Sequence, residues 1–138
     1  GEDDKSMLYN DLDTESSDID KEYEINKQVF QKLDSLIRRD ELYLSADLSR
    51  EDLVRMAHMN NTRFAKMIKE NTGTNLSGYI NELRLNHAIH LLKEHPEYTL
   101  RAIAEASGIN SMPTFHILFK KKTGMTPFEF KKAQNELE

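Results

Sequence analysis

Two stretches of the sequence place short polar side chains and basic side chains close together at helical spacing. Asn, Thr and Ser can hydrogen-bond to base edges in the major groove of duplex DNA, while Arg and Lys also bind phosphates. The chain has no cysteine, no glycine-rich phosphate loop and no nucleophile–base pattern, which argues against an enzyme. The first stretch contains Asn60, Asn61, Thr62, Arg63 and Lys66, and the second contains Ser111, Met112, Thr114, His116, Ile117, Lys120 and Lys121.

The two stretches occupy equivalent places in an internal repeat. Leu53 and Ile103 are 50 positions apart, and from Phe64 and Phe115 onwards the offset is 51. One residue is therefore added in a short turn of the second copy. Each copy contains two apolar-periodic segments around that turn, so the repeat predicts a duplicated helix-turn-helix.

The segment between the copies, Leu76–Glu94, predicts a helix whose apolar residues lie mostly on one wide stripe. Asn75 can cap its start, and Pro96 ends it because the residue before proline avoids the helical region. About 18 residues give a length of about 27 Å. Successive major-groove segments on one face of DNA lie about 34 Å apart, so this helix could hold two reading helices in adjacent grooves.

Charge divides the chain more clearly than the net value of −5 suggests. Residues 1–48 carry six basic and 14 acidic side chains, whereas residues 49–138 carry 13 and 10. Only the second part is mildly basic, and local charge is what attracts a polyanion. We expect residues 1–20 to be a disordered acidic linker, residues 21–48 to form an N-terminal helix and connector, and residues 49–138 to form the double helix-turn-helix.

The predicted fold is therefore all-α, with two helix-turn-helix subdomains joined by a central linker helix and an extra N-terminal helix. The N-terminal helix, from Lys21 to about Asp40, is amphipathic. Two arrangements fit that pattern: the helix packs on the first helix-turn-helix, or it is the end of a coiled coil that pairs two chains.

Three segments resemble the DNA-binding domain of AraC/XylS-type transcriptional regulators: RLNHAIHLL (84–92), IAEASGINS (103–111) and FKKKTGMTPFEFKK (119–132). The resemblance covers residues 49–132. It implies seven helices, two helix-turn-helix units and sequence-specific binding at promoters. By position it also implies groove-facing sets, which are Thr62, Arg63 and Lys66 in the first unit and Met112, Thr114, His116 and Ile117 in the second.

The second unit departs from the pattern of that family. Ser or an aromatic residue is common where Pro113 and Thr114 stand, and Arg or another polar residue is common where Ile117 stands. Few hydrogen-bonding groups remain there for base edges. We expect the second unit to read thymine methyl groups or to grip the backbone, and the first unit to carry more of the polar readout.

His87 and His90 are three positions apart on the central helix, a spacing that could hold a metal only with a third ligand from elsewhere. No acid or cysteine completes an obvious set, so we expect no metal site and no cofactor. We interpret the two histidines as a polar flank of the helix.

The expected partner is double-stranded DNA in the bacterial cytoplasm, and no segment is apolar enough for membrane contact. RNA polymerase and a sensor domain upstream in a longer parent protein are further expected partners. The alternative function is a helical protein-interaction module that docks on polymerase or on that sensor. The two functions differ in salt dependence, because specific DNA binding weakens steeply as salt rises.

Overall fold

The computed structural model describes the backbone of residues 2–137 and the side chains of residues 17–137. Gly1 and Glu138, the ends of the first and last predicted segments, lie outside the described residues. Residues 2–137 form helices and turns without a strand, as the sequence predicts. No helix in this part of the chain has both the length and the apolar character that crossing a membrane requires.

The helices are α1 (Glu2–Arg39), α2 (Arg50–Ala57), α3 (Asn61–Thr72), α4 (Leu76–Glu94), α5 (Leu100–Ala106), α6 (Met112–Thr123) and α7 (Pro127–Glu136). A short 3-10 helix, Leu42–Leu44, which we call the connector, joins α1 to the rest.

Helix starts in the two copies use the same device. Ser49 and Thr99, the residues before α2 and α5, each accept a hydrogen bond from the backbone N–H three positions later. At α2 the Asp52 carboxylate also accepts from the Ser49 N–H, at 3.2 Å, which completes a capping box. The second copy has Ala102 at the matching place, so its cap is one-sided.

The turns inside the two units need a left-handed backbone. His58 has a φ of 55° at the end of α2, and Gly108 has a φ of 84° after α5. These two residues lie in the short turns that the repeat predicts between the helices of each unit. Glycine is required at the second turn, because a Cβ on Gly108 would lie 2.7 Å from the Tyr43 carbonyl oxygen of the connector.

The central helix α4 belongs to two cores rather than to one. The first core buries Tyr79, Ile80 and Leu83, and the second buries Leu85, Ala88 and Leu92. At about 100° per residue these two sets point roughly 170° apart around the helix. The prediction of one wide stripe is therefore wrong. The apolar residues form two stripes because each half of α4 packs against a different helix-turn-helix.

Helix α1 differs from its predicted extent. It begins at Glu2, so it includes residues 2–20, which lie in the segment where the acidic composition predicts disorder. Extending a helix that already exists costs little per residue, and acidic side chains are favourable near a helix N-terminus. Its C-terminal half packs on the first unit, as one of the two predicted arrangements requires, and it buries Leu33 and Ile37 there.

Two polar side chains hold α4 to the N-terminal part of the chain. The Tyr79 hydroxyl donates to Asp34 of α1, and burial together with that bond raises the pKa of Tyr79. Arg84 donates through Nε to the Tyr43 carbonyl, at 2.7 Å, and through a terminal nitrogen to the Ser45 carbonyl, at 2.8 Å. The connector therefore lies against both α4 and the turn of the second unit.

Candidate nucleic-acid interface

The first reading helix, α3, buries one side and leaves the other exposed. Phe64, Met67 and Ile68 are buried in the first core. At about 100° per residue, Thr62 and Lys66 lie at the centre of the opposite, exposed side. Lys66 makes a loose ion pair with Glu70, at 3.9 Å, and more than half of its side chain is exposed. Its ammonium group is therefore accessible to a phosphate or a base.

The N-terminus of α3 is held by side chains. Asn60 caps the helix, and its Oδ1 accepts from the Arg63 N–H at 2.8 Å. Asn61 is exposed and accepts weak bonds from Arg50 of α2, at 3.4 Å to both its side chain and its carbonyl. The Arg50 guanidinium also lies over the Phe64 ring, 5.3 Å from its centre. Arg50 thus fixes α2 against α3, a role that sequence spacing alone does not reveal.

Arg63 is placed differently from the other predicted residues of the first unit. Its side chain is half-buried and turns towards α1, where Nε donates to Oδ1 of Asn26 at 2.8 Å. Sequence reasoning missed Asn26. Asn26 lies four residues before Phe30, so it lies on the apolar stripe of α1. A polar residue on that stripe is the signal that could have found it.

The second reading helix, α6, repeats the burial but not the exposed chemistry. Phe115 and Phe119 are fully buried, and their rings meet edge to face with centres 5.6 Å apart. Met112 is half-buried against the second core, so only part of it can reach DNA. Ile117 lies at the centre of the exposed side and is 69% exposed.

The remaining predicted residues of the second unit surround Ile117. Ser111 caps α6 and accepts from the Thr114 N–H at 3.3 Å, which leaves the Thr114 side chain exposed. The side chains of His116, Lys120 and Lys121 are exposed as well. The neighbouring Lys122 instead donates to Glu82 of α4. The exposed side of α6 is therefore basic at its C-terminal end and apolar at its centre.

The two histidines of the central helix have different surroundings. His87 packs edge to face on Tyr43, with ring centres 6.3 Å apart, whereas His90 is exposed. Burial lowers the pKa of His87, which disfavours the charged imidazolium that would attract a phosphate. Among the residues described, no three potential ligands come together as a metal site would require.

Comparison with known proteins finds the same architecture in transcriptional regulators. The family model described as a helix-turn-helix domain matches residues 53–133. Over 80 residues, which are 57% of this chain, the sequence is 38% identical to the uncharacterized transcriptional regulatory protein YesN of Bacillus subtilis. That match covers 22% of YesN, and two further relatives are matched over 35% and 30% of their lengths. The chain thus spans about a fifth to a third of the curated relatives that it matches.

Solved structures show a shared fold. A transcriptional regulator from Chromobacterium violaceum, described as having an AraC-type DNA-binding domain, has a TM-score of 0.67 and 25% identity, covering 78% of this chain and 93% of its own. The DNA-binding domain of AdpA, solved in complex with a target DNA, has a TM-score of 0.69 and 20% identity. That match covers 77% of this chain and 95% of the AdpA domain. At that identity the second likeness concerns the fold alone.

Proposed function

The chain belongs to the AraC/XylS-type family of helix-turn-helix DNA-binding domains, and from this premise we propose that it is a sequence-specific transcriptional regulator that binds two adjacent major grooves of a promoter. In this proposal α3 enters one groove and α6 the next. The first unit reads through Thr62, Arg63 and Lys66. The second unit reads mainly through Thr114 and the apolar Ile117, while Lys120 and Lys121 bind phosphates.

One observation carries this proposal: the two reading helices are equivalent, and each is packed at one end of the same rigid helix. Helix α4 has 19 residues, and its rise of 1.5 Å per residue makes it about 28 Å long. Its two halves bury separate cores, so each unit is fixed to the helix independently. A spacer of this length suits the distance of about 34 Å between successive major-groove segments once the offsets of α3 and α6 are added.

The proposed partners follow from this role. A regulator at a promoter acts on RNA polymerase, so we propose a polymerase contact in addition to DNA. We also propose an upstream sensor domain, because the matched part is only 22% of a relative such as YesN. The named relatives are bacterial, and a bacterial regulator meets its DNA in the cytoplasm. The proposal assigns binding rather than catalysis to the chain.

The test is a selection of bound duplexes from a random DNA pool, followed by gel-shift titrations at several salt concentrations. We expect an enriched sequence with two half-sites about 10 base pairs apart. Its affinity should fall as salt rises, with a slope of roughly one unit per phosphate contact. Lys32→Ala, which changes an exposed lysine of α1, is the matched control for Lys66→Ala.

If no sequence is enriched, or if retention on DNA is the same at low and high salt, the proposal is wrong. The protein-interaction module would then be the better description. If Lys66→Ala and Lys32→Ala weaken binding to the enriched sequence equally, α3 is not part of the interface.

A further inference from the structure

Asn26 is an unusual residue in its surroundings. It is fully buried, with 0% exposure, on the side of α1 that otherwise contributes apolar residues such as Leu33 and Ile37 to the first core. Its Oδ1 accepts the bond from Arg63 Nε, but its Nδ2 has no hydrogen-bond partner among the described residues. The amide is thus only half satisfied.

A half-satisfied buried amide lowers stability, because its second polar group loses water without gaining a partner. A leucine at this position would pack without that loss. Local choices that reduce stability are expected where a residue serves function. Among the described residues, the bond to Arg63 is the only hydrogen bond that Asn26 gains, so its function should be sought in its effect on Arg63.

Arg63 is held at two points. Asn60 accepts its backbone N–H, and Asn26 accepts its Nε–H, each at 2.8 Å. A guanidinium group has five N–H donors, so four remain on the two terminal nitrogens. Among the described residues these four have no hydrogen-bond acceptor, and Arg63 is only half-buried, so part of its surface stays exposed. A guanidinium fixed at one edge loses less freedom when the other edge binds a base or a phosphate.

We infer that Asn26 is a positioning residue for DNA recognition: it orients the Arg63 guanidinium so that the terminal nitrogens meet the duplex. This inference rests on the proposed function and adds α1 to the first reading unit. Asn26 lies 37 positions before Arg63, and it also lies outside the matched range 53–133. DNA selectivity would therefore depend on a helix that the family model does not include.

The described residues of the second unit form no such arrangement. Thr114 stands where the first unit has Arg63, and α1 packs on the first unit. The positioning effect should thus be confined to the half-site that α3 reads.

The test is a double-mutant cycle in the full chain, with Asn26→Leu, Arg63→Ala and the pair. Each variant is titrated against the selected duplex and against duplexes with one base pair changed in either half-site. Arg63→Ala should reduce affinity or base discrimination at the α3 half-site roughly 5- to 100-fold. Asn26→Leu should cause roughly a 3- to 10-fold loss at the same position and no further loss when Arg63 is already alanine.

Two controls separate positioning from stability. Asn26→Asp keeps the acceptor oxygen and should retain base discrimination, although its charge lowers overall affinity. Leu33→Ala leaves a cavity in the same α1 packing and should lower the melting temperature without changing discrimination at 25 °C. The NMR signal of Arg63 Nε–H, measured without DNA, should shift in Asn26→Leu and remain in Leu33→Ala.

Several outcomes would overturn the inference while leaving the proposed binding of two adjacent major grooves intact. They are wild-type or tighter DNA binding by Asn26→Leu, additive losses in the cycle, and normal binding by Arg63→Ala. Tighter binding would mean that α1 withholds Arg63 instead of orienting it. By contrast, a wild-type chain that binds no duplex would refute the proposed function itself.

Discussion

The first and second helix-turn-helix units bury equivalent residues but expose different ones. Phe64 and Phe115 are both fully buried 51 positions apart, as the repeat requires. At the centre of the exposed side, however, the first unit has Lys66 and the second has Ile117. The difference shows that packing constrains one side of a reading helix while the other side can change its chemistry without affecting the fold.

The two units also differ in how they are supported. Helix α1 braces the first unit and bonds Arg63 through Asn26. The second unit is braced by α7, whose Phe130 meets Phe119 edge to face at 5.4 Å, and by the connector at Gly108. Equivalent positions in the two units should therefore respond differently to substitution.

The largest effect is expected at the two turns. Gly108→His gives the second turn the residue of the first, but its Cβ would lie 2.7 Å from the Tyr43 carbonyl at a φ of 84°. We expect a loss of about 3 kcal/mol or more in the free energy of unfolding. His58→Gly, the reciprocal change, should alter stability by less than about 1 kcal/mol. Urea unfolding measures both, and equal losses would contradict the role of the connector.

The next largest effect is expected in the helix that follows each unit. Tyr79 donates to Asp34, whereas its equivalent in the repeat is Phe130. Tyr79→Phe should lower the free energy of unfolding by about 1–2 kcal/mol, because Arg38 is then the one partner left to the Asp34 carboxylate within the described part of the chain. Asp34→Asn in the same background tests the pair. If the two losses simply add, the bond between these side chains is not what stabilises the contact.

A smaller effect is expected at the centres of the reading faces. Lys66→Ala should weaken binding to the selected duplex roughly 5- to 10-fold and lower the salt slope by about one unit. Ile117→Ala should leave the salt slope unchanged and should weaken binding only to duplexes with thymine at the contacted position. Gel-shift titrations at three salt concentrations distinguish these results. A salt slope that falls in Ile117→Ala would mean that the two faces do not differ as described.

The smallest effect is expected at the helix caps. Bonds to Ser49 hold the pKa of Asp52 below its ordinary value of 3.8, so the carboxylate stabilises the first unit above that pH and stops doing so as pH falls through the lowered pKa. Asp52→Ala should lower the melting temperature by roughly 2–4 °C at pH 7. The difference should disappear at strongly acidic pH.

Ala102→Asp tests the same device in the second unit, where Thr99 already caps α5 and accepts from the Ala102 N–H at 3.1 Å. We expect a comparable rise in melting temperature at pH 7. A rise that persists when the carboxylate is protonated would mean that the capping box is not its cause.

Features set by nearby residues could be predicted from the sequence. The ends of α4 and the short turn inside each unit depend on residues a few positions away, and the structure has them where predicted. The repeat also predicted that the two units are equivalent, because matching residues such as Phe64 and Phe115 stay at a constant spacing of 51 positions.

Features set by distant contacts could not be predicted. The two opposite stripes of α4 each meet a different core, and that assignment depends on the two units that pack on the helix. The half-buried position of Arg63 depends on Asn26, and the need for glycine at 108 depends on the connector. Sequence periodicity shows which side of a helix is apolar, but it does not show which helix covers that side.

The most direct test of the two-groove account is a hydroxyl-radical footprint of the full chain on the selected duplex. The account predicts two protected segments on one face of the DNA, about one helical turn apart. In Lys66→Ala the protection should weaken at one segment more than at the other. A single protected segment, with a second half-site that can be scrambled without loss of affinity, would contradict it.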